Sequence, residues 1–115
     1  MSQDPNCIFC KIVAGKIPSK KAFEDEELLV FHDIHPWAPV HVLVIPKPHI
    51  ATLYEVGPEH DALLGRMLAL APRLMRELGV VNGFRTLINT GEDGRQEVQH
   101  LHMHVMGGPR PWLKG

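Results

Sequence analysis

Apolar residues recur along the chain in two rhythms, and each change of rhythm marks an element. Ile8 to Val13 is a short apolar cluster ended by Ala14-Gly15, which reads as a turn or a short helix. Ala22–Glu24 and Leu28–His32 flank the acidic corner Asp25-Glu26-Glu27 and read as a strand hairpin. Pro36 and Pro39 bracket a loop. Val40–Pro46 is then a buried strand rich in β-branched residues, stopped by Pro46 and Pro48. The period next lengthens. From Leu64 through Met67, Leu68, Ala71, Leu74 and Met75 to Leu78, apolar residues fall at helical spacing on one face. Gly57-Pro58-Glu59 opens this helix and Gly79 closes it. Pro72 lies inside the pattern and predicts a kink or a split, because it removes one intrahelical hydrogen bond. Two more strands, Phe84–Asn89 and Gln99–Met106, follow, joined by the turn at Gly91 to Gly94. The sum is an α+β fold: about five strands in an antiparallel sheet, one long helix and a short N-terminal helix.

Length and composition narrow the function classes. The 115 residues fit a single domain spanning 1–115, with a polar N-terminal tail over 1–6 and a C-terminal tail over 107–115. With 44% hydrophobic residues the chain can bury a core. A formal charge of -1 supplies no basic field for a nucleic-acid backbone. No apolar run reaches the roughly 20 residues that a membrane-spanning helix needs. Met1 to Asn6 is polar and carries an acid, unlike a secretory signal peptide, so the expected location is cytoplasmic. Cys7 and Cys10 form a C-x-x-C pair, which in a reducing compartment reads as a metal or redox site before it reads as a disulfide. A thioredoxin-like reading wants a strand ahead of the pair, and only six residues precede Cys7.

The eight histidines are the compositional anomaly. Three of them stand in strict alternation in Gln99-His100-Leu101-His102-Met103-His104-Val105. On a strand, His100, His102 and His104 share one face while Leu101, Met103 and Val105 take the core face. The residues of such a row lie about 6.5 to 7 Å apart along the backbone. That spacing suits groups lined along one phosphate, since imidazole serves as nucleophile, acid or base near neutral pH. A structural zinc site built on alternate histidines, or a set of hydrogen-bonded core histidines, fits the same pattern.

The segment Gln96 to Gly108, with its His-x-His-x-His core and the Gly107-Gly108 pair, resembles the signature of the histidine triad family. Upstream, Ile8-Phe9-Cys10-Lys11-Ile12, Phe31-His32-Asp33-Ile34, Ala38-Pro39-Val40-His41 and Val44 to Ile50 resemble the same family in the same order. The likeness runs from about Cys7 to Trp112, and Gly107-Gly108 suits the branch of nucleotide-binding phosphoramidases.

The resemblance implies roles. His102 is the nucleophile that takes the nucleotidyl group, His104 donates to the phosphate or leaving group, and His41 holds and polarises the same site. Asp33 bonds the ribose hydroxyls, while Phe31 and Ile34 pack against the base. Asn89, Gln96 and the backbone of Glu97 and Val98 contact phosphate and leaving group. Glu97 stands where the family often has a hydroxyl residue, so a side-chain hydroxyl role is lost and proton delivery to a leaving amine is an alternative. Trp112 resembles a tryptophan found near the neighbouring subunit's active site. Cys7, Cys10, His49 and His100 correspond to a closed Cys2His2 zinc set that braces the N-terminus. His32, His35 and His60 are expected to face solvent. The implied activity is hydrolysis of purine nucleoside phosphoramidates or related adenylates by a homodimer with a continuous sheet, through a nucleotidyl-histidine and without magnesium. The alternatives are a diadenosine polyphosphate hydrolase or nucleotidyl transferase, or a non-catalytic nucleotide-binding protein.

Overall fold

The segments Leu28–His32 and Val40–Pro46 are apolar at every position but one, His32 and His41, so each must be covered on both faces. The computed structural model, which describes residues 4–113, shows how. In chain order the elements are α1 (Ile8–Val13), β1 (Lys21–Glu24), β2 (Leu28–His32), β3 (Val40–Pro46), α2 (Asp61–Glu77), β4 (Phe84–Leu87) and β5 (Met103–Gly107). Short 3-10 turns occupy Leu53–Glu55 and Pro58–His60. The strands form one antiparallel sheet in the order β1-β2-β3-β5-β4. Residues 1–3 of the polar N-terminal tail and 114–115 of the C-terminal tail lie outside the described residues.

Alternation along the central strands sorts side chains between two cores. Leu28 and Val30 of β2, Val42 and Val44 of β3, and Met103 and Val105 of β5 face α2. Leu29 and Phe31 of β2, with Leu43 and Ile45 of β3, face α1 instead, where they meet Phe9 and Ile12. The functional side chains stand on this second face. His41 of β3 is opposite Met106, and His104 of β5 is opposite Leu43, so His41 and His104 are diagonal neighbours.

Helix α2 buries Met67, Leu70, Ala71, Leu74 and Met75 against the sheet. Three expectations about it are corrected: the first is its start, because Gly57-Pro58-Glu59 opens the 3-10 turn Pro58–His60 and the α-helix begins at Asp61. Leu68 is exposed, and Leu70 takes the buried place beside Ala71. Of the kink or split expected at Pro72, the split does not occur: the helix runs without a break from Asp61 to Glu77. The carbonyl deprived of a partner belongs to Leu68, on the exposed side of the helix, where solvent can reach it. His60 does not simply face solvent: it is half-buried, and its Nδ1 accepts the Gly57 N–H at 3.0 Å at the entry to the helix. His32 is also half-buried, whereas His35 is exposed.

Strand β4 ends at Leu87 rather than Asn89, and β5 begins at Met103 rather than Gln99. The register that sets Val44 opposite Met103 would next set Pro46 opposite Leu101. Proline has no N–H to give a ladder, so regular pairing stops there. Leu101 N–H turns to the Ile50 carbonyl instead, at 2.6 Å. His100 and His102 therefore lie in an irregular extended segment, and only His104 is on the strand. The Gly107-Gly108 pair answers to close packing at the far end. A Cβ at Gly107 would meet Val80 Cγ1 at 2.5 Å, and Gly108 adopts φ +113° against Pro39.

Candidate active site

The irregular segment separates the three histidines that strict alternation would have kept on one face. His100 turns away toward Cys7 and Cys10, while the rings of His102 and His104 stay 5.1 Å apart, centre to centre. His41 lies 5.1 Å beyond His104, and Phe9 closes on His102 edge to face at 5.2 Å.

Backbone groups decide where the ring hydrogens sit. His102 Nδ1 is 2.7 Å from the His100 carbonyl, which can only accept, so Nδ1 carries the hydrogen and Nε2 keeps its lone pair. The Trp37 N–H donates to His41 Nδ1 at 3.0 Å, so the neutral His41 ring carries its hydrogen on Nε2. That Nε2 lies 2.9 Å from His104 Nδ1 and donates to it. His104 is left with its own hydrogen on Nε2. A lone pair on His102 and an N–H on His104 are thus set side by side.

Burial keeps these rings uncharged. His102 and His104 are 6% and 8% exposed. Burial lowers the pKa of His102, against the opposing pull of the His100 carbonyl, Asp33 and Glu97. It lowers His104 to about 4, helped by the neighbouring His102 and His41. Burial likewise lowers His41, and the Asp33 carboxylate opposes it from 3.6 Å.

His102 and His104 open onto a cavity of about 340 Å³. Among the residues expected at the site, Asp33, Ile34, Asn89, Glu97 and Val98 line it. Phe31 does not: it is buried against α1, 5.5 Å from the Phe9 ring. Gln96 is buried beneath the loop, its amide held by Gly91 N–H and by the carbonyls of Ala51 and Val98. Phe9, Trp37, Leu43 and Arg95 line the cavity without having been singled out in the sequence. The Trp37 indole stacks on His104 with centroids 5.6 Å apart and planes 14° from parallel. Phe9 was legible as the aromatic between the two cysteines; nothing local marked the other three.

A larger cavity of about 670 Å³ lies elsewhere, between residues 79–85 and the tail at 108–112, and holds none of the histidines. Trp112 lines that one. Its Nε1 donates to the Gly108 carbonyl at 2.9 Å, and the Arg85 guanidinium lies over its ring. Trp112 is not among the residues lining the histidine cavity, although the next residue reaches its wall: Leu113 N–H donates to the Trp37 carbonyl at 2.7 Å.

The second cluster joins α1 to the sheet. Cys7 Sγ and Cys10 Sγ lie 3.2 and 3.5 Å from His100 Nδ1, and Cys10 Sγ lies 3.4 Å from His49 Nδ1. The two ring nitrogens are 3.3 Å apart. A tetrahedral zinc with typical bond lengths spaces sulfur and nitrogen ligands by about 3.6 Å and two nitrogens by about 3.3 Å. The four atoms fit that metal. His100 Nε2–H donates to the Pro46 carbonyl at 2.7 Å, which turns the Nδ1 lone pair toward the thiols. With protein groups alone, burial pushes the Cys10 thiol up to about 11, and a dication would reverse that cost. Asp33, His41 and His104 also converge, but the His41 Nε2–H is already committed to His104.

A family model described as scavenger mRNA decapping enzyme C-term binding matches residues 6–113. Protein HitA of Neisseria gonorrhoeae is 52% identical over 104 residues, covering 90% of this chain and 97% of that one. The purine nucleoside phosphoramidase of Escherichia coli is 42% identical over 102 residues, covering 88% and 86%. Among solved structures, a HIT family hydrolase from Legionella pneumophila superposes with a TM-score of 0.88 at 44% identity, covering 91% and 95%. A Zn-bound histidine triad family protein from Mycobacterium smegmatis superposes with a TM-score of 0.80 at 36% identity, covering 91% and 76%.

Proposed function

The chain belongs to the histidine triad family, and from that premise we propose that it is a hydrolase of purine nucleoside phosphoramidates or related adenylates. The observation that carries this reading is the pairing of a neutral, correctly oriented His102 Nε2 lone pair with the His104 Nε2–H at one cavity.

In the proposed reaction His102 Nε2 forms a bond to phosphorus as the P–N bond breaks. The electron pair of that bond stays with the amine, which takes a proton from water at the open mouth, where Glu97 can relay it. The charge on the phosphoryl oxygens meets the His104 Nε2–H, already in place, with His41 holding the ring behind it. Asp33 receives the ribose hydroxyls, and Ile34, with Phe9 and Leu43, receives the base. Asn89 and the backbone at Glu97 and Val98 meet phosphate and leaving group. Phe31 supports the base wall from behind Phe9, and Gln96 holds the loop from beneath. Water then attacks phosphorus as the bond to His102 Nε2 breaks; the electron pair returns to Nε2, the proton lost by the water offsets the one taken up by the amine, and the monophosphate is released.

Cys7, Cys10, His49 and His100 would hold zinc in a closed set with no free position. The metal would supply only a brace between α1 and the sheet. Strand β4 closes one edge of the sheet, with Phe84 on it and Val81 ahead of it both exposed. This supports a homodimer that extends the sheet across that edge and brings each tail, with Trp112, to its partner. Free Cys7 and Cys10 thiols suit the cytoplasm.

The test is to compare turnover of an adenosine phosphoramidate and a diadenosine polyphosphate, and to trap the adduct by mass spectrometry. Faster phosphoramidate turnover with adenylate mapped to His102 is the expected result. Turnover with no adduct, or preference for the dinucleotide, overturns the reading.

A further inference from the structure

Among the described residues, Arg95 is the non-glycine residue with a left-handed backbone, at φ 63°. That conformation suits glycine and is unfavourable for any side chain, so its presence asks what the side chain does. The loop does not need it. The turn is held by Arg95 N–H to the Glu92 carbonyl and Gln96 N–H to the Gly91 carbonyl, both at 3.0 Å. The Gln96 amide locks the same turn from below. The guanidinium makes no hydrogen bond or ion pair with the described residues, yet Arg95 lines the cavity onto which His102 and His104 open.

Charge and exposure say which part of a ligand it meets. The other ionisable side chains around that cavity are Asp33 and Glu97, both acids, and the two histidines. Arg95 is therefore the one lysine or arginine lining a cavity that contains two carboxylates. His102 and His104 form the dry floor, whereas Arg95 is exposed, at the rim. A group attacked by His102 Nε2 departs away from that floor, toward the rim.

We propose that Arg95 is a specificity-determining residue that favours leaving groups carrying their own negative charge, a carboxylate or a phosphate on the departing amine. This rests on the phosphoramidase reading above. The guanidinium presents a planar fork of donors to such a group. Because it is exposed, the preference is modest and weakens with salt.

The test uses three adenosine 5′-phosphoramidates, formed with ethylamine, β-alanine and phosphoethanolamine, so that neutral, carboxylate and phosphate leaving groups are compared directly. Wild type is expected to favour one or both anionic compounds, by about 5- to 10-fold in kcat/KM at low salt. The arm that responds more identifies the charged group. Arg95→Gly and Arg95→Gln should abolish the preference and leave the neutral compound within about twofold. Arg95→Gly should also raise Tm by a few degrees, which Arg95→Gln should not, because only glycine relieves the left-handed backbone. An unchanged preference in both variants overturns the proposal, as does an equal loss on all three compounds, which would place the guanidinium on the phosphoryl group instead. If wild type turns over none of the three, the phosphoramidase reading fails. The Kd values of the same compounds for His102→Asn, with and without Arg95→Gln, then decide the role of Arg95. A Kd ratio indifferent to Arg95 overturns it.

Discussion

Acid should destabilise this protein through His104 in particular. In the unfolded chain the ring titrates near its ordinary value of 6.5, while in the folded protein burial and its two histidine neighbours hold it at about 4. A folded-state pKa depressed in this direction means that folding excludes a proton. Its contribution is intact above 6.5 and is lost as pH falls from there toward 4. For one such group the loss between pH 7.5 and pH 5 is roughly 2 kcal/mol, out of a domain stability of about 5–15 kcal/mol. The perturbation is His104→Asn, which removes the titration and still offers an oxygen to His41 Nε2–H. The assay is urea denaturation of both proteins at pH 7.5 and pH 5, at equal metal loading, so that His100 cancels from the comparison. Wild type should lose about 2 kcal/mol more than the variant over that interval. Equal losses would refute the reasoning, because His104 would then be free to charge in the folded protein and would not be held as a neutral donor.

His102→Asn should reduce phosphoramidate turnover at least about 10³-fold while the Kd for adenosine monophosphate changes by less than about fivefold, read by calorimetry. Phe9→Ala, which opens a hole between Phe31, His100 and His102, should cost about 3–5 kcal/mol in chemical denaturation. Chelation of purified protein should release one zinc per chain and lower Tm, and Cys7→Ser should give a protein whose Tm no longer responds to chelator. Gly107→Ala, whose new Cβ would strike Val80, should lower stability by about 1–3 kcal/mol without changing which residues bind metal. Light scattering should return twice the 12.9 kDa of a single chain.

Much of this fold is local and could be read locally. The bounds of α1, β2 and β3 follow from apolar runs with clear stops, as in Ala14-Gly15 and Pro46. The end of α2 follows from Gly79, whereas Gly57-Pro58 opens the 3-10 turn Pro58–His60 and the α-helix begins only at Asp61. Its interior did not follow, because helical periodicity cannot distinguish Leu68 from Leu70 at the margin of the apolar face. The continuity through Pro72 depends on which side of the helix meets water. At the site, His102 and His104 stood out because alternate histidines are rare, whereas His41 was marked only by the resemblance of Ala38-Pro39-Val40-His41 to the family. Trp37, Leu43 and Arg95 were not, since they reach the cavity by loop geometry and register, which leave no periodic trace.

The residue types and their order therefore determined the class of fold and the presence of imidazole chemistry, while the company of Cys7 and Cys10 with His49 and His100 was implied only by the family resemblance. The first two are properties of short stretches and of composition. Only the tertiary structure divided the histidines, sending His100 to the thiols and His102 to the cavity, because Pro46 on a neighbouring strand lacks the N–H that regular pairing would require. It also decided the ring hydrogens. A tautomer belongs to the partner across the hydrogen bond, and for His41 that partner is the peptide of Trp37, for His102 the carbonyl of His100. A sequence states which groups exist; only their placement states which of them donates.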